Sequence, residues 1–257
     1  MKNIYIGFLA LFTVFLSCSE DNDIQIKTVD FTLNFTHNWN DTLITIADFN
    51  ALKFTNKNKE KLSITKLRYL ISDFTFYNQN GDTLSTDDYH LVDLEKDESL
   101  EFTLSEKIPV GTYSKVIFRF GFTKEKNSSG IYQDLNSNNF GVPEILGGGY
   151  HFMQFEGRFI DQNSETSPFL YHTISAYNNT DVANVISTDT SFEVTLSSIE
   201  IKNNATIEIK AGLAQWFEKP NTWDLNILST DLMGNYDAQI KMSANGKSVF
   251  SLGAVTQ

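Results

Sequence analysis

Hydrophobic and polar residues alternate along most of the chain in short runs, each bounded by Asn, Asp or Gly. Residues 31–35, with the sequence FTLNF, form one such run. Because successive side chains of a β-strand point to opposite faces of a sheet, this alternation predicts strands with one buried face. Strands are predicted at residues 31–35, 42–46, 70–77, 89–94, 101–104, 115–122, 151–160, 169–176, 191–196 and 205–211.

The spacing of these strands favours an all-β fold. The ten-residue helical patterns that parallel βαβ units require are missing from the sequence, so we predict a single antiparallel β-sandwich, immunoglobulin-like or jelly-roll-like. Residues 127–149 have a loop-like composition and predict a long excursion from the sheets. Short helical turns and a last strand are predicted after Trp216. The sequence contains no linker, and residues 30–257 are therefore predicted to form one domain.

The N-terminus has the pattern of a bacterial lipoprotein signal. Residues 1–17 place Lys2 before an apolar run, and Cys18, the single cysteine of the chain, follows directly. Acylation of this cysteine would explain a lone thiol in an exported protein, whereas the other reading is an ordinary secretory signal. We therefore predict a lipidated linker over residues 18–29, which anchors an outer-membrane lipoprotein on the periplasmic or the cell-surface face.

Charge and motifs exclude several classes of function. The net charge of −12 and the scattered Lys and Arg residues argue against nucleic acid as a partner. The sequence contains no nucleotide-binding glycine loop, no zinc-protease helix motif and no serine-hydrolase elbow. A glycosidase would need two carboxylates that meet in space, and nothing in the sequence supports such a pair. We therefore predict that the protein is not an enzyme.

Four histidines are the candidate metal ligands. His37, His90, His151 and His172 each lie in or beside a predicted strand, close to an aromatic residue. Any one of them is more often a core residue with a satisfied ring, but four together in a cysteine-free exported body suit copper or zinc. Trp39 shares a strand face with His37 if that strand is regular, and its indole would attract a cation.

The methionines of the sequence give little further support for a copper site. Met153 and Met233 carry a sulfur that copper accepts, but four methionines in the whole chain do not make a methionine-rich copper motif.

Several stretches, taken in order, resemble one known family. They are residues 35–38 (FTHN), 67–72 (LRYLIS), 89–93 (YHLVD), 111–113 (GTY), 117–122 (IFRFGF), 148–153 (GGYHFM), 155–157 (FEG) and 245–250 (NGKSVF). This order is similar to that of the MbnP-like copper-binding domain, the family of the methanobactin-associated periplasmic protein. The resemblance covers residues 30–252.

The resemblance implies a β-sandwich-like body that binds copper through histidines. In some members a tryptophan beside the metal is oxidised to kynurenine, and the associated partner is a dihaem peroxidase-like enzyme. His37, His90 and His172 lie in stretches that resemble the family. His151 and Met153 stand where many members have Trp, which leaves Trp39 as the only tryptophan next to a histidine.

Two hypotheses for the function follow. The first is a lipoprotein that binds copper for uptake, storage or delivery to a partner, and the alternative is a non-metal surface module that binds glycan or protein. Histidines that meet at one point would favour copper, whereas a line of exposed Trp and Tyr side chains would favour glycan.

Overall fold

The computed structural model describes residues 26–181 and 183–257. The signal segment, Cys18 and most of the linker lie outside the described residues. Within the described part, none of the helices is long and apolar enough to cross a membrane.

Strands make up most of the secondary structure of the described residues. They are β1 (Thr28–Val29), β2 (Phe31–Trp39), β3 (Thr42–Ile44), β4 (Phe54–Thr55), β5 (Lys61–Asn78), β6 (Thr83–Asp93), β7 (Glu101–Thr103), β8 (Ile108–Pro109), β9 (Gly111–Phe120), β10 (Met153–Ile160), β11 (Thr166–Thr173), β12 (Ala176–Asn178), β13 (Ile186–Thr188), β14 (Phe192–Leu196), β15 (Ile199–Ile201), β16 (Ala205–Gly212) and β17 (Phe250–Thr256). The two α-helices are α1 (Gln133–Ser137) and α2 (Tyr236–Gly246).

Two sheets form the body of the molecule. The larger sheet has eight strands, in the order β11-β10-β5-β9-β14, with β4 and β6 paired to β5 and β15 paired to β9. The smaller sheet has five strands, in the order β17-β16-β2-β3, with β7 paired to β2. The pairs within both sheets are antiparallel, except that β2 and β16 run parallel. The predicted all-β sandwich is confirmed.

The core lies between the inner faces of the two sheets. Strand β2 alternates buried and half-buried residues along its whole length, as the sequence pattern predicts. From β2, Phe31 packs edge-on against Phe76 of the larger sheet at 5.0 Å between ring centroids, and Phe35 packs against Tyr69 at 6.2 Å. Such edge-on aromatic pairs stabilise the packing of the two sheets beyond the burial of apolar area alone.

The outer face of the larger sheet is covered by the excursion between β9 and β10. Residues 121–152 contain α1 and a 3-10 turn at Glu144–Leu146. A small hydrophobic cluster attaches this excursion to Leu70 of β5 through Phe122, Leu135, Phe140 and Tyr150. Another 3-10 turn at Leu232–Gly234 and helix α2 both contact β11. On this outer face, Glu156 of β10 and His172 of β11 are half-buried.

Candidate metal centre

Two of the four histidines meet on the outer face of the larger sheet. The rings of His151 and His172 lie edge to face, with their centroids 5.2 Å apart. Strands β10 and β11 pair so that Gln154 lies opposite His172, and the Phe152 amide donates to the Thr173 carbonyl. This register brings the end of the excursion, where His151 lies, next to the end of β11.

The His151 ring points its unprotonated nitrogen at a thioether. Its Nδ1–H donates to the Phe140 carbonyl oxygen over 2.9 Å, and burial lowers the pKa of His151 to about 4. The ring is therefore neutral at pH 7, and the lone pair is on Nε2. This Nε2 lies 3.2 Å from Sδ of Met233. Two electron-pair donors thus face each other, and a soft metal ion is the species that both would bind.

The His172 ring is held by a carboxylate. Its Nε2 lies 3.1 Å from Glu156 Oε1, which also accepts from Lys66 Nζ over 2.9 Å. The hydrogen bond from His172, followed by that from Lys66, lowers the pKa of Glu156 to about 2 against the effect of burial. The ionised carboxylate accepts the Nε2–H, and a neutral His172 ring bonded in this way carries its lone pair on Nδ1. Histidines that bind a metal are usually held in this way, with the second nitrogen bonded to an oxygen.

Met233 reaches this pair from a different part of the chain. It lies in the 3-10 turn Leu232–Gly234, which follows Asp231 in the left-handed region at φ 57°. Leu232 is buried and anchors the turn, whereas Met233 is half-buried. The other methionine weighed from the sequence, Met153, is fully buried in the core between the sheets.

Neighbouring charges act on His151 in both directions, since His172 and Arg68 lower its pKa and Glu156 raises it, and all of these effects are smaller than that of burial. The guanidinium of Arg68 lies over the Phe140 ring at 5.3 Å, and its Nε donates to Gln154 Oε1 over 2.7 Å. The positive charge of Arg68 opposes protonation of His151, in addition to the larger effect of burial. A neutral imidazole is the form that coordinates a metal.

His37 lies in the sandwich core, away from this pair. It is 2% exposed, and its Nε2 lies 2.9 Å from the Tyr69 hydroxyl. Burial lowers the pKa of His37 to about 3. The ring is thus a neutral core group with one polar partner.

His90 has partners of its own on the larger sheet. Its ring stacks on Phe102 with centroids 4.6 Å apart, and its Nε2–H donates to the Ser99 carbonyl oxygen over 2.7 Å. Burial is the main cause that lowers the pKa of His90. Among the described residues, the only histidine rings that pack on each other are His151 and His172.

Trp39 shares the core-facing side of β2 with His37, as the sequence predicts for a regular strand. Its Nε1–H donates to the Thr55 carbonyl oxygen over 3.1 Å, and its ring packs on Phe54 and Phe217. The structure therefore brings His151 and His172 together with Met233 and leaves His37, His90 and Trp39 among other partners.

The donor set is two imidazoles and one thioether. In residues 26–181 and 183–257, no group of three or more His, Cys, Asp or Glu side chains is placed to hold a metal ion. The third donor beside the two imidazoles is the sulfur of Met233, which is 3.2 Å from His151 Nε2. His151, His172 and Met233 were all considered as ligands in the sequence analysis, but only the folded chain shows that they lie close together.

Comparisons with known proteins agree with this fold. A family model described as MbnP matches residues 28–239. Among solved structures, MbnP from Methylosinus trichosporium superposes with a TM-score of 0.56 at 13% identity, over 89% of this chain and 99% of that chain. At this identity the likeness shows the fold alone. A search of curated protein sequences gives no match. The chain therefore belongs to the MbnP family.

Proposed function

We propose that this protein binds one copper ion through His151, His172 and Met233. The observation that carries the proposal is the contact between His151 Nε2 and Met233 Sδ, where two lone pairs face each other beside the His172 ring. In the proposed site the Phe140 carbonyl holds the His151 proton on Nδ1, and Glu156 holds the proton of a neutral His172 ring on Nε2. Each ring thus has one nitrogen available to a metal and the other bonded to an oxygen.

The donor types favour copper over other divalent metals, and Cu(I) over Cu(II). Thioether sulfur is a soft ligand that suits Cu(I), whereas imidazole suits copper and zinc alike. Magnesium and calcium prefer oxygen ligands, and the proposed set offers none. Membership of the MbnP family supports the same metal.

The site lies within reach of a partner. The His172 side chain is 13% exposed, and Met233 is half-buried at the surface of its turn. Copper held here is therefore available for exchange, as uptake, storage or delivery requires. We propose that acylation of Cys18 anchors the protein to the outer membrane, and that a dihaem peroxidase-like enzyme is a partner, as the family resemblance implies.

The burial of the tryptophans argues against the alternative of a glycan-binding module. All three tryptophans of the chain are buried, at 5% exposure for Trp39 and 1% for both Trp216 and Trp223. The described tyrosines are buried or half-buried. No line of exposed rings on which sugars would stack is thus present in the described part of the chain.

Copper binding by the purified protein tests the proposal directly. We expect about one copper per chain in the wild type, and we expect His151→Ala and His172→Ala to lose this stoichiometric uptake because each removes a nitrogen ligand. His37→Gln and His90→Gln are the matched controls and should keep full uptake. Copper is measured by metal analysis after gel filtration. A wild type that takes up no copper, or full uptake by both alanine variants, would refute the proposal.

Met233→Leu should weaken Cu(I) binding by about tenfold or more and change Cu(II) binding far less, because only the soft ion depends on sulfur. The affinity for Cu(I) is measured by competition with a chromophoric Cu(I) chelator. Met153→Leu, a conservative change of a buried methionine in the core, is the control and should leave both affinities unchanged. An equal loss for both oxidation states would argue that the sulfur is not a ligand.

A further inference from the structure

The buried amide of Gln239 connects the two chain segments that carry His172 and Met233. Gln239 is 1% exposed. Its Oε1 accepts from the Ile174 amide over 2.9 Å, and its Nε2 donates to the carbonyl oxygens of His172 over 2.9 Å and of Leu232 over 3.0 Å. One side chain thus bonds the backbone of a proposed ligand and of the residue that precedes another.

The position of Gln239 in helix α2 makes this link rigid. The helix begins at Tyr236, and the side chain of Asn235 caps it by accepting from the Ala238 amide over 3.0 Å. Gln239 lies in the first turn, so its amide folds back under the 3-10 turn that holds Met233. A single NH₂ group donates to both carbonyls and so bridges the end of β11 and this turn, in addition to the burial of Leu232 and the hydrogen bond from the Leu170 amide to the Ser229 carbonyl oxygen.

We propose that Gln239 is a positioning residue for the metal centre, which holds the Met233 sulfur against the two imidazoles and so sets the Cu(I) affinity. The inference rests on the proposed function, because it needs copper at that site. Gln239 is not one of the proposed ligands and acts through the backbone of His172 and Leu232. Residues that hold the ligands of a metal site typically change its affinity by about 10–100-fold when they are replaced.

Gln239→Glu tests the link with the least change in shape. The carboxylate keeps an acceptor for the Ile174 amide but loses both N–H donors, so that an oxygen faces the carbonyls of His172 and Leu232. We expect the turn to move away from β11 and the Cu(I) affinity to fall about tenfold. X-ray absorption of the Cu(I) complex should show that the sulfur contribution is lost while the nitrogen ligands remain.

Asn245→Asp is the matched control in the same helix. Asn245 is fully buried, and its Nδ2 donates to the carbonyl oxygens of Trp216 over 2.8 Å and of Asn221 over 2.9 Å. This change removes the same two kinds of hydrogen bond, but it does so at the far end of α2. It should lower stability and leave the Cu(I) affinity within about twofold of the wild type, since the metal ligands keep their partners.

A double-mutant cycle separates positioning from general stability. If Gln239 acts through the sulfur, Gln239→Glu should change Cu(I) affinity less than about twofold in a Met233→Leu background, although it costs about tenfold in the wild type. Gln239→Asn keeps the amide but shortens it by one methylene, and it provides the same cycle if the glutamate variant fails to fold.

The outcomes distinguish this inference from the proposed function. Two results would overturn the inference alone. One is an equal loss of Cu(I) affinity on Gln239→Glu in the wild type and in the Met233→Leu background. The other is an unchanged Cu(I) affinity in Gln239→Glu while His151→Ala abolishes uptake. A wild type that binds no copper would overturn both.

Discussion

Gly157→Ala is expected to destabilise the protein by about 3 kcal/mol or more, because the strand has no room for a β-carbon at this position. A Cβ on Gly157 would overlap the Ser63 carbonyl oxygen of the neighbouring strand β5 and meet the Phe169 ring of β11. A backbone oxygen in a paired strand cannot move aside as a flexible side chain can. The strain would therefore spread into the pairing of β10 with both neighbours.

The free energy of unfolding, measured by urea denaturation, checks this expectation. Gly141→Ala is the control, since Gly141 is exposed and a Cβ there meets no atom within 4 Å. It should change stability by less than about 0.5 kcal/mol. Equal stability of the two variants would contradict the close approach of β5 and β10 at Gly157.

Gly157 also has a consequence for the metal centre. The register of β10 against β5 shifts between Glu156 and Gly157, so that Glu156 lies opposite Lys66 and Gly157 lies opposite Ile64. Glu156 lies on the outer face, where it accepts from His172. The close contact at Gly157 thus lies beside the residue that orients one of the proposed ligands.

The long strands were predictable from the sequence because each shows the two-residue period several times. Strand β2 is the clearest case, with four apolar residues and His37 on its buried face. The strands of two or three residues, such as β4 and β15, are too short to show any period. They are strands because β5 and β9 are long enough to pair with additional neighbours.

Helix-start signals predict short helical turns in this part of the chain, one of them opening at residues 232–235, but hydrophobic periodicity does not predict the full length of helix α2. Its buried face includes Gln239, Asn245 and Gly246 beside Ala238 and Met242, so the apolar pattern of a helix is interrupted. These amides are buried because they bond the backbone of loops and strand ends. A helix that bonds other segments through polar groups lacks the apolar period from which its length could be predicted.

The candidate ligands were named from the sequence, but which of them meet was not predictable. All four histidines lie in or beside strands, and only the register of β10 with β11 brings His151 to His172. Met233 lies 82 residues after His151, in a turn whose contact with His151 no local sequence pattern predicts. Long-range placement of this kind depends on tertiary packing, which local patterns do not encode.

Acid should destabilise the metal-free protein by about 2 kcal/mol between pH 6.5 and pH 4.5 through His37 alone. In the unfolded chain His37 binds a proton below pH 6.5, whereas burial lowers its pKa in the folded state to about 3. Between these values the unfolded state holds more protons than the folded state. Stability is therefore fully present above pH 6.5 and falls as the pH drops toward 3.

The free energy of unfolding is measured at several pH values, with a metal chelator present, for the wild type and for His37→Gln. The difference between the two pH profiles gives the contribution of His37. The glutamine does not titrate, so the variant should lose less stability on acidification by about 2 kcal/mol over this range. Tyr69→Phe is the matched control, because it removes the hydroxyl partner of His37 but leaves the ring buried. Since burial is the cause of the lowered pKa, this control should keep the acid sensitivity of the wild type. Parallel pH profiles for the wild type and His37→Gln would mean that the ring is hydrated and that His37 is not a core residue.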